Sequence, residues 1–370
     1  MALLARARQL EAEGRDIVHM EIGEPDFPSP QPVIEAGIAS IQTGNVHYTP
    51  ATGLPELRQA IADDYQRQNQ LQINPERVII TPGASGALLL ALGVLLDRDQ
   101  QVIMADPGYP CNRNFVEFLE AKTQAINVDA STGYQLTAEL IQQHWQADTR
   151  VALLASPSNP TGTLIEKAEL QNIINTVNKL KGMVIIDEIY HGLVYDQQAD
   201  TALTLSDDVF VINSFSKFYG MTGWRLGWMV VPEAYIESVD KLAQNLFLAA
   251  PTPAQHAALA VYKPETQTIL QQRRDEFKQR RDYLLPELKK LGFKISVEPQ
   301  GAFYLYADCS AFTKDSYAFA LDLLENAGVA ITPGKDFGLN KPEQHVRFAY
   351  TTEMARLEEG VKRLKQYLNK

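Results

Sequence analysis

The chain has 370 residues, of which 45% are hydrophobic and 21% are charged, close to the usage of ordinary globular proteins. At roughly 150 residues per domain, this length predicts about two domains, each with a core of its own. The 45 acidic and 34 basic residues give a formal net charge of -11. This charge disfavours a general nucleic-acid binder, because such proteins cluster lysines and arginines against phosphates.

The two cysteines, Cys111 and Cys309, lie far apart in the chain and neither belongs to a Cys-x-x-Cys pair. They indicate reduced thiols in a cytoplasmic protein, and no disulfide framework or metal site is expected. Charges interrupt residues 1–13 every few positions, which predicts an amphipathic helix and not a signal peptide. The longest apolar stretch, 87–96, is about half of a membrane span, so it predicts a buried helix and no membrane partner.

Short β-branched runs alternate with helical patterns between about residues 78 and 231, which is typical of an α/β domain with a largely parallel sheet. The runs are 78–80, 101–104, 151–154, 183–186, 209–212 and 227–231. After about Glu265 the pattern changes to a long charged helix and then to short strands and further helices. These later elements are expected at 294–297, 303–306, 316–327 and 345–350 and at the C-terminus.

This change of pattern predicts two domains that are not consecutive in the chain. A large domain is expected over residues 30–265. The N-terminal segment is expected to join the C-terminal part, so that residues 1–29 and 266–370 form a smaller α+β domain.

Polar segments rich in glycine and proline directly follow five of the six runs, at 81–86, 106–110, 156–162, 187–190 and 213–217. In open α/β sheets, ligands bind outside the carboxyl ends of the strands. We therefore expect the five segments to meet at one site.

The first of these segments, Gly83-Ala84-Ser85-Gly86, lies between a strand and a helix. Its backbone amides and the Ser85 hydroxyl could receive an anion at the helix N-terminus. A plain helix cap with small residues for packing is the alternative, and it is the more common one for such a segment alone. The segment matches neither a dinucleotide-binding fingerprint, a P-loop nor a nucleophile elbow.

Asp187 and Lys217 each follow an apolar strand. An unpaired carboxylate at a dry strand end is costly, so Asp187 needs a cationic partner, unless it is a helix-starting residue that faces water. An average lysine is solvated, but the apolar flanks of Lys217 argue for a desolvated amine that can act as a nucleophile.

Residues 214–227, Ser-Phe-Ser-Lys-Phe-Tyr-Gly-Met-Thr-Gly-Trp-Arg-Leu-Gly, resemble the signature of class I/II aminotransferases, which are pyridoxal-phosphate enzymes of fold type I. Pro-Ser-Asn-Pro-Thr-Gly at 157–162 resembles another motif of that family. Further matches in the expected order are 48–50 with Gly53, Asp-Glu-Ile-Tyr at 187–190 and Val-Arg-Phe at 346–348. The resemblance covers nearly the whole chain.

The resemblance implies a role for each of several residues toward pyridoxal 5'-phosphate. Lys217 would hold the cofactor aldehyde as a Schiff base and then move the substrate's α-proton. Asp187 would pair with the pyridine nitrogen and keep it protonated. Asn159 and Tyr190 would bind the phenolic oxygen, and Tyr109 would stack on the ring.

By the same resemblance, Ala84, Ser85, Ser214 and Arg225 would surround the phosphate, with the Arg225 guanidinium as a bidentate donor. Tyr48 would reach the phosphate of the neighbouring subunit, which implies a homodimer with shared active sites. A core aromatic at a turn is the alternative for Tyr48.

Arg347 resembles the arginine that grips the substrate α-carboxylate, with Asn159 beside it. Gly23 would let the N-terminal loop approach the substrate. The alternatives are a surface arginine and a simple turn. Phe303 and Tyr304 could equally line the pocket or fill the core of the small domain.

The resemblance thus implies an α/β fold in which helices sandwich a mostly parallel seven-stranded sheet, with a smaller α+β domain. The implied function is amino-group transfer between an amino acid and a 2-oxo acid by a ping-pong mechanism. A pyridoxal-phosphate β-lyase or acyltransferase is the alternative on the same fold. A non-catalytic ligand sensor is less favoured, because the lysine, aspartate and arginine set is complete.

Three departures from the family pattern affect the expected substrate and dimer. The chain begins at what resembles the first helix of the family, without the longer arm that many members carry. Ser85 stands where a lysine is common in an aspartate-specific subgroup. Arg113 is the candidate for binding a second substrate carboxylate, so dicarboxylate preference stays open.

Overall fold

The computed structural model describes residues 2–369, and its elements follow the alternation of strands and helices expected from the sequence. The strands in chain order are β1 (Val18–His19), β2 (Val78–Thr81), β3 (Gln101–Asp106), β4 (Lys122–Asn127), β5 (Thr149–Ala155), β6 (Met183–Asp187), β7 (Val209–Ser214), β8 (Gly227–Val230), β9 (Tyr304–Asp308), β10 (Val329–Ala330), β11 (Thr332–Pro333) and β12 (His345–Ala349).

The α-helices are connected by loops and short 3₁₀ turns. In chain order they are α1 (Ala2–Ala12), α2 (Gln31–Gln42), α3 (Pro55–Asn69), α4 (Gly83–Leu95), α5 (Pro110–Phe118), α6 (Ala138–His144), α7 (Lys167–Lys179), α8 (Ile236–Leu246), α9 (Thr252–Ala258), α10 (Pro264–Leu291), α11 (Ser316–Asp322) and α12 (Met354–Leu368).

The central sheet has seven strands in the order β2-β8-β7-β6-β5-β3-β4. Strand β8 runs antiparallel to both of its neighbours, and the other strands share one direction. The expectation of a mostly parallel seven-stranded sheet is therefore confirmed. Because β2, β3, β5, β6 and β7 point the same way, the polar segments after them lie at one edge of the sheet.

Strand β4 is the one strand of this sheet that has no counterpart among the apolar runs of the sequence. It lies at the edge of the sheet, pairs only with β3, and has the sequence Lys-Thr-Gln-Ala-Ile-Asn. Ile126 is its only buried residue. An edge strand with mostly exposed side chains gives a weak hydrophobic signal, because little of it is packed.

Successive residues of the central strands enter two different cores, as the alternation of side chains along a strand requires. In β6, Ile185 packs with Leu88 and Leu92 of α4 on one face of the sheet. Val184 and Ile186 pack on the other face, where α3, α7 and α9 supply the covering residues. Both faces of the central sheet are therefore buried, which explains why the sequences of β5 to β7 are continuous apolar runs.

A third core combines the two ends of the chain. It contains Leu10 and Met20 from the N-terminal segment together with Phe303 and Phe348 from the C-terminal part. Strands β11, β12 and β9 form an antiparallel sheet there, and β1 pairs in parallel with β10. The boundaries near residues 30 and 265 stay a prediction, and the outermost positions, 1 and 370, lie outside the described residues.

Two elements of this part differ from the sequence expectation. The strand expected at 294–297 is reduced to a single bridge between Lys294 and Asp308. The helix expected at 316–327 ends as α-helix at Asp322 and continues as a π-helical segment, Leu323–Ala327.

Gly162 joins the loop after β5 to the segment before β9. Its carbonyl oxygen accepts hydrogen bonds from the amides of Gln300 and Gly301, both at 3.0 Å. Its φ is +68°, and a Cβ there would lie 2.6 Å from the Gly301 carbonyl oxygen. Both the backbone conformation and the close approach therefore require glycine.

We expect Gly162→Ala to lower the free energy of unfolding by about 2–4 kcal/mol, because it adds a backbone clash to the left-handed conformation. Gly133→Ala is the matched control, since Gly133 has φ +62° and a Cβ there would meet nothing within 4 Å. The control substitution should lower the free energy of unfolding by about 1 kcal/mol. Urea unfolding measures both, and equal losses would contradict the packing described for Gly162.

Candidate active site

A cavity of about 640 Å³ lies at the carboxyl edge of the central sheet. Its lining includes every residue for which the family resemblance implied a cofactor or catalytic role, with the exception of Tyr48. The five polar segments contribute to it from one side. Gly23, Tyr304 and Arg347 contribute from the core that combines the chain ends. The five polar segments thus meet at one cavity, as expected from the sequence.

Lys217 extends into this cavity from the segment after β7. Its Nζ donates a hydrogen bond to the Gly23 carbonyl oxygen at 2.7 Å. Burial lowers the pKa of the ammonium group to about 8; Glu24 opposes this shift, while the nearby Arg347 and Arg225 add to it. A lysine amine with this environment is a better base and nucleophile at neutral pH than a solvated one.

Asp187 ends β6 at the floor of the cavity. Its Oδ1 accepts a hydrogen bond from the Ile189 amide at 3.0 Å. Burial raises the pKa of this carboxyl group to about 7, and the attraction of Lys217 only partly offsets that shift. A buried acid of this kind is suited to hold a cationic group placed beside it, because the cation would restore its charged form.

Arg347 on β12 is only 6% exposed, so the surface alternative for it is wrong. Its Nη1 donates to Asn159 Oδ1 at 2.8 Å and its Nη2 donates to the Glu21 carbonyl oxygen at 2.7 Å. The guanidinium carbon lies 4.1 Å from the centre of the Tyr304 ring. Its Nε is buried and has no hydrogen-bond partner among the described residues.

Phe303 and Tyr304 lie in different environments in the structure. Tyr304 lines the cavity, and its hydroxyl lies 2.9 Å from the hydroxyl of Tyr190. Phe303 is fully buried in the core beneath them. A Cβ on Gly23 would lie 2.2 Å from the Tyr304 hydroxyl oxygen, so glycine at this position is required for close approach and not only for a turn.

An anion site is formed where α4 begins. Gly83 has φ +74°, and a Cβ there would lie 2.5 Å from Arg225 Nη2, so the absent side chain makes room for the guanidinium. Ala84 and Ser85 follow in the first turn of the helix. Ser214 lies beside them, with its Oγ accepting from the Ser216 amide at 3.0 Å. The helix N-terminus and the arginine together favour a phosphate-like group.

Tyr109 precedes α5 and is 37% exposed on the cavity wall. Burial of much of its ring raises the pKa of the phenol above its ordinary value. Tyr190 is buried, and burial raises the pKa of its hydroxyl well above the ordinary range, so both phenols stay protonated as hydrogen-bond donors.

Tyr48 is 83% exposed and does not line the cavity, so the core-aromatic alternative is wrong. Other large apolar side chains are exposed in the segments 38–48 and 246–248, which we call the exposed apolar surface; they are Ile38, Ile41, Val46, Leu246 and Leu248. Thr252, which lies just after the second segment, contacts the first segment, since its Oγ1 donates to the His47 carbonyl oxygen at 2.8 Å.

Sequence reasoning missed one wall of the cavity. It is formed by Leu3 and Leu4 of α1 and by Ile331 and Phe337, which lie in segments without a recognisable motif. Arg113, the candidate for a second carboxylate, does not line this cavity. Its Nη2 donates to the Phe337 carbonyl oxygen at 2.7 Å instead.

A model of the family described as aminotransferase class I and II matches residues 15–364. The chain belongs to this family. Two curated aminotransferases match nearly the whole chain. The valine–pyruvate aminotransferase of Mycobacterium tuberculosis is 38% identical, over 99% of this chain and 94% of its own length. The (5-formylfuran-3-yl)methyl phosphate transaminase of Methanocaldococcus jannaschii is 36% identical, over 100% and 96%.

The structural comparison agrees with the family assignment. A crystal structure of an aminotransferase from Mycobacterium tuberculosis superposes with a TM-score of 0.97 at 37% identity, covering 100% of this chain and 96% of that one. The protein is thus an aminotransferase with the fold type I architecture. Within residues 2–369, the aminotransferase has no helix that is both long and apolar enough to cross a bilayer.

Proposed function

We propose that this aminotransferase uses pyridoxal 5'-phosphate and moves an amino group between an amino acid and a 2-oxo acid by a ping-pong mechanism. The observation that carries the proposal is the presence of the half-buried Lys217 amine in one cavity with Asp187, Arg347 and the anion site at α4. The two free cysteines, Cys111 and Cys309, agree with a location in the reducing cytoplasm.

The residues of the cavity fit this cofactor at both of its charged ends. The N-terminus of α4, Ser214 and Arg225 offer donors and positive charge to the phosphate. Asp187 is a buried acid without a cationic hydrogen-bond partner among residues 2–369, and a protonated pyridine nitrogen supplies the missing charge. When bound, the cofactor supplies an aldehyde that condenses with amines and a ring that accepts the electron pair released with the α-proton.

Lys217 is the base in this proposal. Its Nζ, which now donates to the Gly23 carbonyl oxygen, would hold the cofactor through its aldehyde. The Lys217 amine would also be the base that moves the α-proton of the substrate. A pKa of about 8 keeps a usable fraction of this amine neutral at physiological pH.

Arg347 binds the substrate α-carboxylate in this proposal. Asn159 Oδ1 and the Glu21 carbonyl oxygen hold two of its nitrogens, and this fixes the plane of the guanidinium before substrate enters. A guanidinium held in one plane can bind a carboxylate through two parallel hydrogen bonds. Asn159 and Tyr190 face the same cavity and are proposed to donate to the phenolic oxygen of the cofactor.

Lys217→Ala should reduce amino transfer by about 10³-fold or more, because it removes both the nucleophile and the base. A coupled assay of 2-oxo acid formation measures the rate. Lys314→Ala, which changes an exposed lysine far from these segments, should keep wild-type activity. An active Lys217→Ala variant that still binds the cofactor would show that the proposed mechanism is wrong.

We further propose that the aminotransferase is a homodimer that pairs through the exposed apolar surface. Tyr48, 83% exposed on that surface, would then donate to the cofactor phosphate in the neighbouring subunit. The exposure of this tyrosine supports the proposal, because a group of exposed apolar and aromatic side chains is typical of an interface.

Ile41→Asp should shift the protein toward monomer and reduce activity in parallel, because it places a charge in the proposed contact. Ile41 is 64% exposed, so the isolated chain should tolerate the change. The control is Phe118→Asp, at a side chain that is 74% exposed outside this surface. Sedimentation velocity measures the assembly, and a monomeric, fully active wild type would refute the shared site.

A further inference from the structure

The wall of the cavity that sequence reasoning missed bears on the choice of substrate. Phe337 lies against the proposed carboxylate site, with the centre of its ring 4.8 Å from the Arg347 guanidinium carbon. Leu3, Leu4 and Ile331 line the same cavity. A substrate whose α-carboxylate is bound by Arg347 would therefore lie near the Phe337 ring, in a cavity that Leu3, Leu4 and Ile331 also line.

Helix α1, which carries two of these apolar residues, is tied to the rest of the protein by charged contacts. Arg6 Nε donates to Glu325 Oε1 at 2.5 Å. Glu11 Oε1 lies 2.9 Å from His19 Nε2, and this links the helix to β1. These contacts, together with the burial of Leu3 and Leu10 in the core that combines the chain ends, hold α1 beside the cavity.

The charges around the cavity disfavour a second carboxylate on the substrate. Among the described residues, the basic side chains of the lining are Lys217, Arg225 and Arg347, and the proposed function uses all three. Arg113 is held by the Phe337 carbonyl oxygen and does not reach the cavity. The lining also includes the acids Glu24 and Asp336, whose charges disfavour a further carboxylate.

A positively charged side chain is also disfavoured at the apolar wall, because Leu3, Leu4, Ile331 and Phe337 would desolvate it without offering a partner. Glu21 Oε1 lies 2.8 Å from His19 Nδ1, and hydrogen bonding to Glu21 raises the pKa of this histidine to about 9, so it is a cation at neutral pH. The other oxygen of Glu21 is buried and is not presented to the cavity. Glu24 accepts a hydrogen bond from the Thr222 hydroxyl.

We propose that the preferred amino donor has an uncharged, apolar side chain, bound by Leu3 and Leu4 of α1 together with Ile331 and Phe337. Amino acids with a carboxylate or an ammonium group in the side chain are then poor substrates. This inference rests on the proposed function, since it assumes that Arg347 binds the α-carboxylate.

The test uses the purified holoenzyme and two readouts. The first is kcat/KM for leucine, phenylalanine, aspartate and lysine as amino donors. The second is calorimetric binding of two unreactive analogues, 4-methylpentanoate and succinate. We expect at least about tenfold preference for the apolar amino acids, and tighter binding of 4-methylpentanoate than of succinate.

Leu4→Lys places a cation in the apolar wall, so it should lower kcat/KM for leucine about tenfold and raise it for aspartate. Ala5→Lys adds the same charge at the next, exposed position of α1, which does not line the cavity, and should change neither value.

A wild type that prefers aspartate or lysine would overturn the proposed substrate class, as would a Leu4→Lys variant with an unchanged ratio. Failure of every amino donor would instead refute the proposed function. Transfer confined to acidic or basic amino acids would leave that function standing and reject only the apolar preference.

Discussion

The site depends on keeping two opposite charges, Asp187 and Lys217, out of water at the ends of adjacent strands. Strands β6 and β7 pair in parallel, and Asp187 lies opposite Ile212 in that register. Lys217 follows Ile212 by five residues and lies at the same edge of the sheet. Burial raises the pKa of the acid to about 7 and lowers that of the amine to about 8, so the pKa of each group lies close to neutral pH.

The hydrophobic cores that meet at the cavity hold Asp187 and Lys217 in these positions. The central sheet, dry on both faces, fixes the carboxyl edge on which Asp187 and Lys217 lie. The core that joins the chain ends brings Gly23 and Arg347 against that edge. The Gly23 carbonyl oxygen accepts from Lys217, so a contact between the N-terminal segment and the sheet edge holds the reactive amine in place.

Sequence reasoning predicted the parts of the site that carry a motif on a strand end, because hydrophobic runs define the strands and glycine and proline define the loops after them. It predicted no strand at β4, where Ile126 is the only buried side chain. It also missed the wall of Leu3, Leu4, Ile331 and Phe337, because their juxtaposition arises from tertiary packing of distant segments. The cofactor roles of the site residues, the dimer and the domain boundaries stay predictions.

The most direct test of this account is the pKa of Lys217 in the cofactor-free protein, measured from the pH dependence of its acetylation by mass spectrometry. A depressed pKa means that the folded protein releases this proton well below the pH at which an unfolded chain does. We predict half-neutralisation near pH 8, below the ordinary value of 10.5. A midpoint near 10.5 in the folded protein would show that Lys217 is solvated and would contradict the account of the site.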